Sequence, residues 1–130
     1  MSKLLTLLIK NKIKVLIVDD SLLITVRLEE MVKEIACVSE VFVSTKYTDA
    51  IELINKVQPH IILLDIHLNK DSGLDLLAYI RTNFSSIKVI MVTNKASKYY
   101  RNLCKKLGSH GFVDKSEEFE RIPAMIEAHY

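Results

Sequence analysis

Residues 60–77 read HIILLDIHLNKDSGLDLL, and this stretch decides the fold. Four consecutive apolar residues, Ile61, Ile62, Leu63 and Leu64, show no polar alternation, which predicts a strand buried on both faces inside a parallel sheet. Asp65 ends the run. Its carboxylate therefore lies near the buried centre of the sheet and needs a cation or hydrogen-bond donors. Beyond a polar turn, Leu77, Ile80 and Phe84 fall at helical spacing and predict a helix packed on that sheet.

The same unit recurs on either side. Short apolar runs rich in Val and Ile occupy residues 15–18, 41–43, 89–92 and 111–113, and each is followed by polar residues. Ile24, Leu28, Met31, Val32 and Ile35 form one helical stripe, and Ala50, Leu53, Ile54 and Val57 a second. Tyr100, Leu103, Cys104 and Leu107 form another, closed by Gly108 as a C-cap, and Phe119, Ile122 and Ile126 form the last. Pro123 is tolerated only near a helix start, which predicts a short turn over residues 116–120 and then the final helix. Five alternating strand–helix units define an α/β fold with a parallel sheet between two helical layers.

A chain of 130 residues, 49% hydrophobic, buries one substantial core. Eighteen Lys and Arg against 16 Asp and Glu leave a formal charge of +2, too little to argue for direct contact with nucleic acid. The two cysteines, Cys37 and Cys104, form no CxxC pair, so neither a disulfide framework nor a zinc site is expected, and a reducing, cytoplasmic location fits. The apolar run at residues 4–9 is broken by Thr6, falls short of the roughly 20 residues of a membrane span, and lacks a small-residue cleavage site. Residues 1–12 read as an N-terminal extension, either amphipathic and able to dock on a partner or membrane surface, or disordered. Residues 13–130 form the domain, with no linker or repeat inside it; we expect it to act alone or by docking.

The ends of parallel strands converge on one rim, where open α/β sheets bind ligands. Asp19 and Asp20 follow the first strand, Asp65 the third, Thr93 ends the fourth, and Lys115 lies just past the fifth. Three crowded carboxylates repel unless a cation neutralises them, and an oxygen-rich site suits Mg²⁺, which accepts phosphate oxygens. A carboxylate is also a nucleophile toward phosphorus, and such transfer depends on positioning and electrostatic stabilisation. Asp65, central on the rim, is the best nucleophile. The Lys115 ammonium and the Thr93 hydroxyl then neutralise and hydrogen-bond the transferred oxygens. Movement of Thr93 toward a phosphoryl group would let Phe112 turn from exposed to buried, converting chemistry into a surface change.

Each residue also has a plainer role. Asp19 and Asp20 can cap the first helix, Lys115 can be a solvated loop residue, Thr93 an ordinary strand end, His67 a loop residue and Phe112 a gap filler. Tyr99 and Tyr100 beside Lys98 and Arg101 suggest stacking on nucleic acid only weakly, because Tyr100 falls on the core stripe. Convergence at one rim favours the chemical reading.

Together VLIVDDS at residues 15–21, LLDIHL at 63–68, DSGLDLL at 71–77, MVTN at 91–94 and GFVDKS at 111–116 resemble the response-regulator receiver family of two-component signalling. The resemblance implies a flavodoxin-like (βα)5 three-layer sandwich with strand order 2-1-3-4-5. It implies Asp65 as phosphoacceptor, Asp20 and Asp65 as direct Mg²⁺ ligands, Asp19 as a ligand through water and the His67 backbone carbonyl as the third protein ligand. Thr93 and Phe112 match the switch positions and Lys115 the phosphate-contacting lysine. A histidine kinase or histidine phosphotransfer protein is the implied donor. The expected output is a surface change on the fourth and fifth helices of a monomer or weak dimer, read by a downstream protein target.

Three features depart from the family pattern. His67 and Lys95 occupy positions that tune phosphoryl lifetime in relatives, so no rate carries over. Ser116 replaces the usual proline after Lys115, where a cis bond would cost about 3 kcal/mol. Phe112 lacks the hydroxyl of the commoner tyrosine. A metabolic enzyme is not expected. The alternatives are a phosphorylation-independent scaffold with this fold, or a haloacid-dehalogenase-like phosphatase, against which the missing second aspartate in Asp65-Ile66-His67 argues.

Overall fold

The apolar runs form β1 (Ile13–Val18), β2 (Val38–Ser44), β3 (Ile61–Leu64), β4 (Lys88–Thr93) and β5 (Gly111–Asp114), all parallel, in the order β2-β1-β3-β4-β5. The computed structural model describes Ser2, Leu4 and residues 13–130, and the expectation of an amphipathic or disordered extension over 1–12 otherwise lies outside the described residues. The helices are α1 (Leu22–Lys33), α2 (Tyr47–Val57), α3 (Gly73–Asn83), α4 (Lys98–Lys106) and α5 (Ile122–Ala128), the last preceded by a 3₁₀ turn, Phe119–Arg121. Among the described residues no helix is long and apolar enough to cross a membrane.

Alternation of side chains along the strands divides the core into two layers. On one face Val15, Ile17, Ile61, Leu63 and Val113 meet Leu28 and Val32 of α1 and Ile122 and Ile126 of α5. On the other, Leu16, Val18, Ile62, Leu64 and Met91 meet Ala50 and Ile54 of α2, Leu76, Leu77 and Ile80 of α3, and Cys104 of α4. This is the expected flavodoxin-like three-layer sandwich.

Local chemistry sets the helix ends. Ser21 Oγ accepts the Ile24 N–H at 3.3 Å, Ser72 Oγ the Leu74 N–H at 3.1 Å and Ser97 Oγ the Tyr100 N–H at 3.3 Å, capping α1, α3 and α4. Gly108, at φ 97°, closes α4 with Gly108 N–H to Lys105 O and Ser109 N–H to Cys104 O, the paired bonds of a Schellman motif. The strands exceed their apolar stretches. The edge strand β2 begins at Val38 rather than at Val41: the exposed Ser39 and Glu40 interrupt the apolar run, and the pairing with β1 shifts by one residue at Ser39, between the Ile13–Val38 and Lys14–Glu40 pairs.

At the amino-terminal edge of the sheet two imidazoles extend the ladder. His60 Nδ1 accepts the Lys14 N–H at 3.0 Å and His110 Nδ1 accepts the Val89 N–H at 3.2 Å. Burial, with Arg81, His129 and Lys88 nearby, holds His110 below the ordinary histidine value of 6.5; burial and Lys88 do the same to His129. The unfolded chain therefore binds protons that these rings refuse when folded. Stability is complete above about pH 6.5 and is lost as pH falls through the depressed folded values. Urea midpoints should drop between about pH 7.5 and about pH 5.5. His110→Asn, which keeps an acceptor near the Nδ1 position but does not titrate, should shrink that drop, and an undiminished drop in the variant would contradict the assignment.

Candidate functional site

Three backbone bonds carry the sheet one residue past its strand ends and so fix the rim. Asp19 N–H donates to Ser44 O at 3.1 Å, Asp65 N–H to Val18 O at 3.0 Å and Lys115 N–H to Thr93 O at 3.0 Å. The side chains of Asp19, Asp65 and Lys115 are thereby brought together although 46 and 50 residues separate the three in sequence. Lys115 Nζ stands 2.6 Å from Asp19 Oδ2 and 2.8 Å from Asp65 Oδ2, with side-chain exposures of only 7%, 2% and 8% respectively.

Asp19 and Asp20 do not cap α1, since Ser21 does so. Asp19 Oδ1 accepts the Ser21 N–H at 2.8 Å, while the buried Asp19 Oδ2 faces the Lys115 ammonium at 2.6 Å. Burial pushes the Asp19 carboxyl above its usual range, against the pull of Lys115 and Ser21. Burial opposes the Lys115 charge, but the hydrogen bonds to Asp19 and Asp65 outweigh it and hold the ammonium above its ordinary value. Asp20 is exposed, and its Oδ2 accepts the Asn69 N–H at 2.9 Å, tying the loop after β3 to the end of β1.

That loop contains a feature absent from the sequence reading. Residues His67–Leu68 and Asp71–Ser72 pair as a two-residue antiparallel ladder, turned at Asn69 in the left-handed region (φ 61°), where asparagine is favoured. Gly73 N–H donates to Ile66 O at 2.6 Å. Since bonded and non-bonded pairs alternate in antiparallel ladders, His67 opposite Ser72 falls at a non-bonded step, and its carbonyl is not spent inside the ladder. The His67 side chain is exposed.

Gly73 is a supporting residue that sequence reasoning missed. A Cβ at this position would overlap the Asp65 carbonyl oxygen and press on Ile66 Cα, so only glycine lets α3 start against the strand end that carries Asp65. The signal was present in the quoted DSG segment, but nothing in the sequence shows which backbone it touches.

Thr93 is fully buried, and its Oγ accepts the Lys95 N–H at 3.1 Å, holding the β4–α4 loop. Phe112 departs from the expected exposed position. It is half-buried, with the Arg101 guanidinium 4.8 Å from its ring centroid. Arg101 also binds Glu118 at 2.6 Å, and Arg121 binds the same carboxylate at 2.6 Å. These hydrogen bonds, with one from the Asp114 N–H, hold the Glu118 carboxyl down at about 2. Among the described residues no peptide bond is cis, so the Lys115–Ser116 bond is trans; Asp114 Oδ1 accepts from both Ser116 N–H and Oγ–H. Tyr100 is half-buried and Tyr99 is exposed, as the stripe predicted.

Asp19, Asp20 and Asp65 each offer an oxygen, all within 4.8 Å of one another. Three carboxylates face one ammonium. Hard oxygen donors with a deficit of positive charge fit Mg²⁺.

The response regulator receiver domain matches residues 15–127, and the chain belongs to that family. Among curated proteins it is 29% identical to Protein PilG of Pseudomonas aeruginosa, over 90% of this chain and 87% of that one. It is 30% identical to the DNA-binding transcriptional activator EvgA of Escherichia coli K12, over 65% of this chain but only 41% of EvgA. Among solved structures, the signal receiver domain of a protein described as a Luxo repressor from Vibrio parahaemolyticus superposes with a TM-score of 0.83 at 27% identity, covering 91% of this chain and 89% of that one.

Proposed function

We propose that this receiver domain accepts a phosphoryl group on Asp65 from a histidine kinase or histidine phosphotransfer protein and presents a changed surface to a protein target. The observation that carries this reading is the recessed Asp65 carboxylate, held by the buried Lys115 ammonium at 2.8 Å in a cluster with Asp19 and Asp20. A carboxylate oxygen of Asp65 attacks phosphorus, and the phosphorus–nitrogen bond of the donor breaks as its electron pair returns to the imidazole. Asp19, Asp20, Asp65 and the His67 carbonyl would hold Mg²⁺, which when bound supplies positive charge toward the transferring oxygens. Lys115 exchanges its bond to Asp65 for one to a phosphoryl oxygen, and the Thr93 hydroxyl donates to another.

The donor must cover the rim to reach a side chain only 8% exposed. Leu22, Leu23 and Val26, at 72%, 71% and 46% exposure in the first turns of α1, directly follow Asp19, Asp20 and Ser21 and offer apolar surface for that cover.

The reading predicts that a phosphorylated histidine phosphotransfer protein loses its label to the chain but not to Asp65→Asn. It predicts further that partner binding rises on phosphorylation of the native chain alone. Partner binding equal in both proteins under phosphorylating conditions would favour a phosphorylation-independent scaffold instead.

A further inference from the structure

We infer that the end of the domain opposite Asp65, together with the residues that lead into β1, docks on the surface of a membrane containing anionic phospholipid.

Parallel strands joined by helices gather the carboxyl ends of the helices where the strands begin. In this chain those ends are basic. The last turns carry Lys33 in α1, Lys56 in α2, Arg81 in α3, and Lys105 and Lys106 in α4. Each complements the dipole of its own helix, but because the helix ends share one face their charges also add. Lys14 and Lys88, at the starts of β1 and β4, lie at the same end. Against them stand Glu30, Glu34 and Glu127, with Glu29 paired to Lys33 at 3.6 Å. Lys56, Lys105 and Lys106 are exposed and have no acidic partner among the described residues.

The carboxylates collect at the other end. Asp19, Asp20 and Asp65 form the rim, and Asp49 and Asp75 occupy the first turns of α2 and α3. A formal charge of only +2 thus hides a separation of sign from one end of the sheet to the other.

Apolar groups accompany the basic end. Ile13 opens β1 there, and the residues before it, 3–12, read KLLTLLIKNK. Met1, Leu4, Leu5 and Leu8 recur at helical spacing, with Thr6 and Lys10 on the opposite side of the wheel, and no acidic residue precedes Asp19. Leu4 has helical backbone and is 68% exposed. Tyr130, exposed at 42%, stands at the same end, where its hydroxyl donates to His60 O at 3.2 Å. A ring with one polar tip suits the depth of lipid headgroups.

An anionic bilayer uses both features, since the lysines meet negative headgroups and the leucines enter the boundary of the acyl chains. A nucleic acid uses the charge alone, because leucine neither stacks on a base nor hydrogen-bonds a phosphate. Docking this way turns the acidic rim away from lipid of like charge and leaves Asp65 facing the solvent side. The surface does not depend on phosphorylation of Asp65.

Sedimentation of the full chain with vesicles tests this, with phosphatidylcholine alone, phosphatidylcholine mixed with phosphatidylserine, and a short duplex DNA as competitor. Partition onto the mixed vesicles should exceed that onto phosphatidylcholine by about tenfold or more and fall as salt is raised. Lys56→Glu combined with Lys106→Glu should lower it by about tenfold or more, as should Leu4→Glu combined with Leu8→Glu. Lys46→Glu combined with Lys98→Glu makes the same charge change at the amino ends of α2 and α4 and should leave partition within about twofold. A spin label on the lipid headgroup should broaden the amide resonances of Gln58, His60 and Ser109 and spare those of Asp20 and Asn94. Equal partition onto the two kinds of vesicle, undiminished partition in either of the first two double variants, or an equal loss in the third would overturn the proposal. So would broadening centred on Asp20, or DNA that binds the chain more tightly than the mixed vesicles do.

Discussion

Gly73→Ala is expected to lower the unfolding free energy by about 3 kcal/mol and to slow phosphorylation at the same time. The added Cβ would overlap the Asp65 carbonyl oxygen, a backbone atom fixed on one side by the sheet and on the other by the start of α3. No flexible side-chain end can swing away, so either α3 moves out or the Asp65 peptide tilts. The first loses packing of Leu76, Leu77 and Ile80, all fully buried, and the second misdirects the nucleophile. Urea unfolding followed by circular dichroism checks the stability loss. An unchanged midpoint would show that α3 and β3 do not meet as described.

Lys115→Met should also be costly. Removing the ammonium leaves Asp19 and Asp65 as largely buried carboxylates without their shared partner, and Asp20 adds a third negative charge within 4.8 Å. Breaking a buried ion pair in this way costs about 3 kcal/mol. Divalent cation should recover part of the loss, because it replaces the missing positive charge; the variant's melting temperature should therefore rise more on addition of Mg²⁺ than that of the native chain. Equal Mg²⁺-induced increments in the two proteins would contradict the shared electrostatic site.

The architecture was legible because its signals are local. Uninterrupted apolar runs such as Ile61–Leu64 announce burial on both faces, and the periodic stripes that follow announce the helices covering them. The rim was legible because parallel strands point their ends the same way, which gathers Asp19, Asp65, Thr93 and Lys115 from the strand assignments alone. What escaped depends on contacts between distant segments. The start of β2 was hidden by Ser39 and Glu40, whose side chains face solvent although their backbones extend the edge strand. The short ladder at His67–Leu68 is too brief for any periodicity. Gly73 looked like a turn residue until its approach to Asp65 was visible. The position of Phe112 under Arg101, and the bridge from Arg101 to Glu118 and Arg121, join residues of α4, β5 and the following turn whose mutual distances no spacing rule supplies.

The most direct test of the central claim is the intact mass of the chain after incubation with acetyl phosphate and Mg²⁺, beside Asp65→Asn and a chelator-treated sample. One phosphoryl adduct on the native chain, absent from Asp65→Asn and from the chelated sample, is the predicted result. An adduct of equal yield on Asp65→Asn, or no adduct on a folded, Mg²⁺-loaded native chain with either acetyl phosphate or a phosphorylated histidine donor, would contradict it.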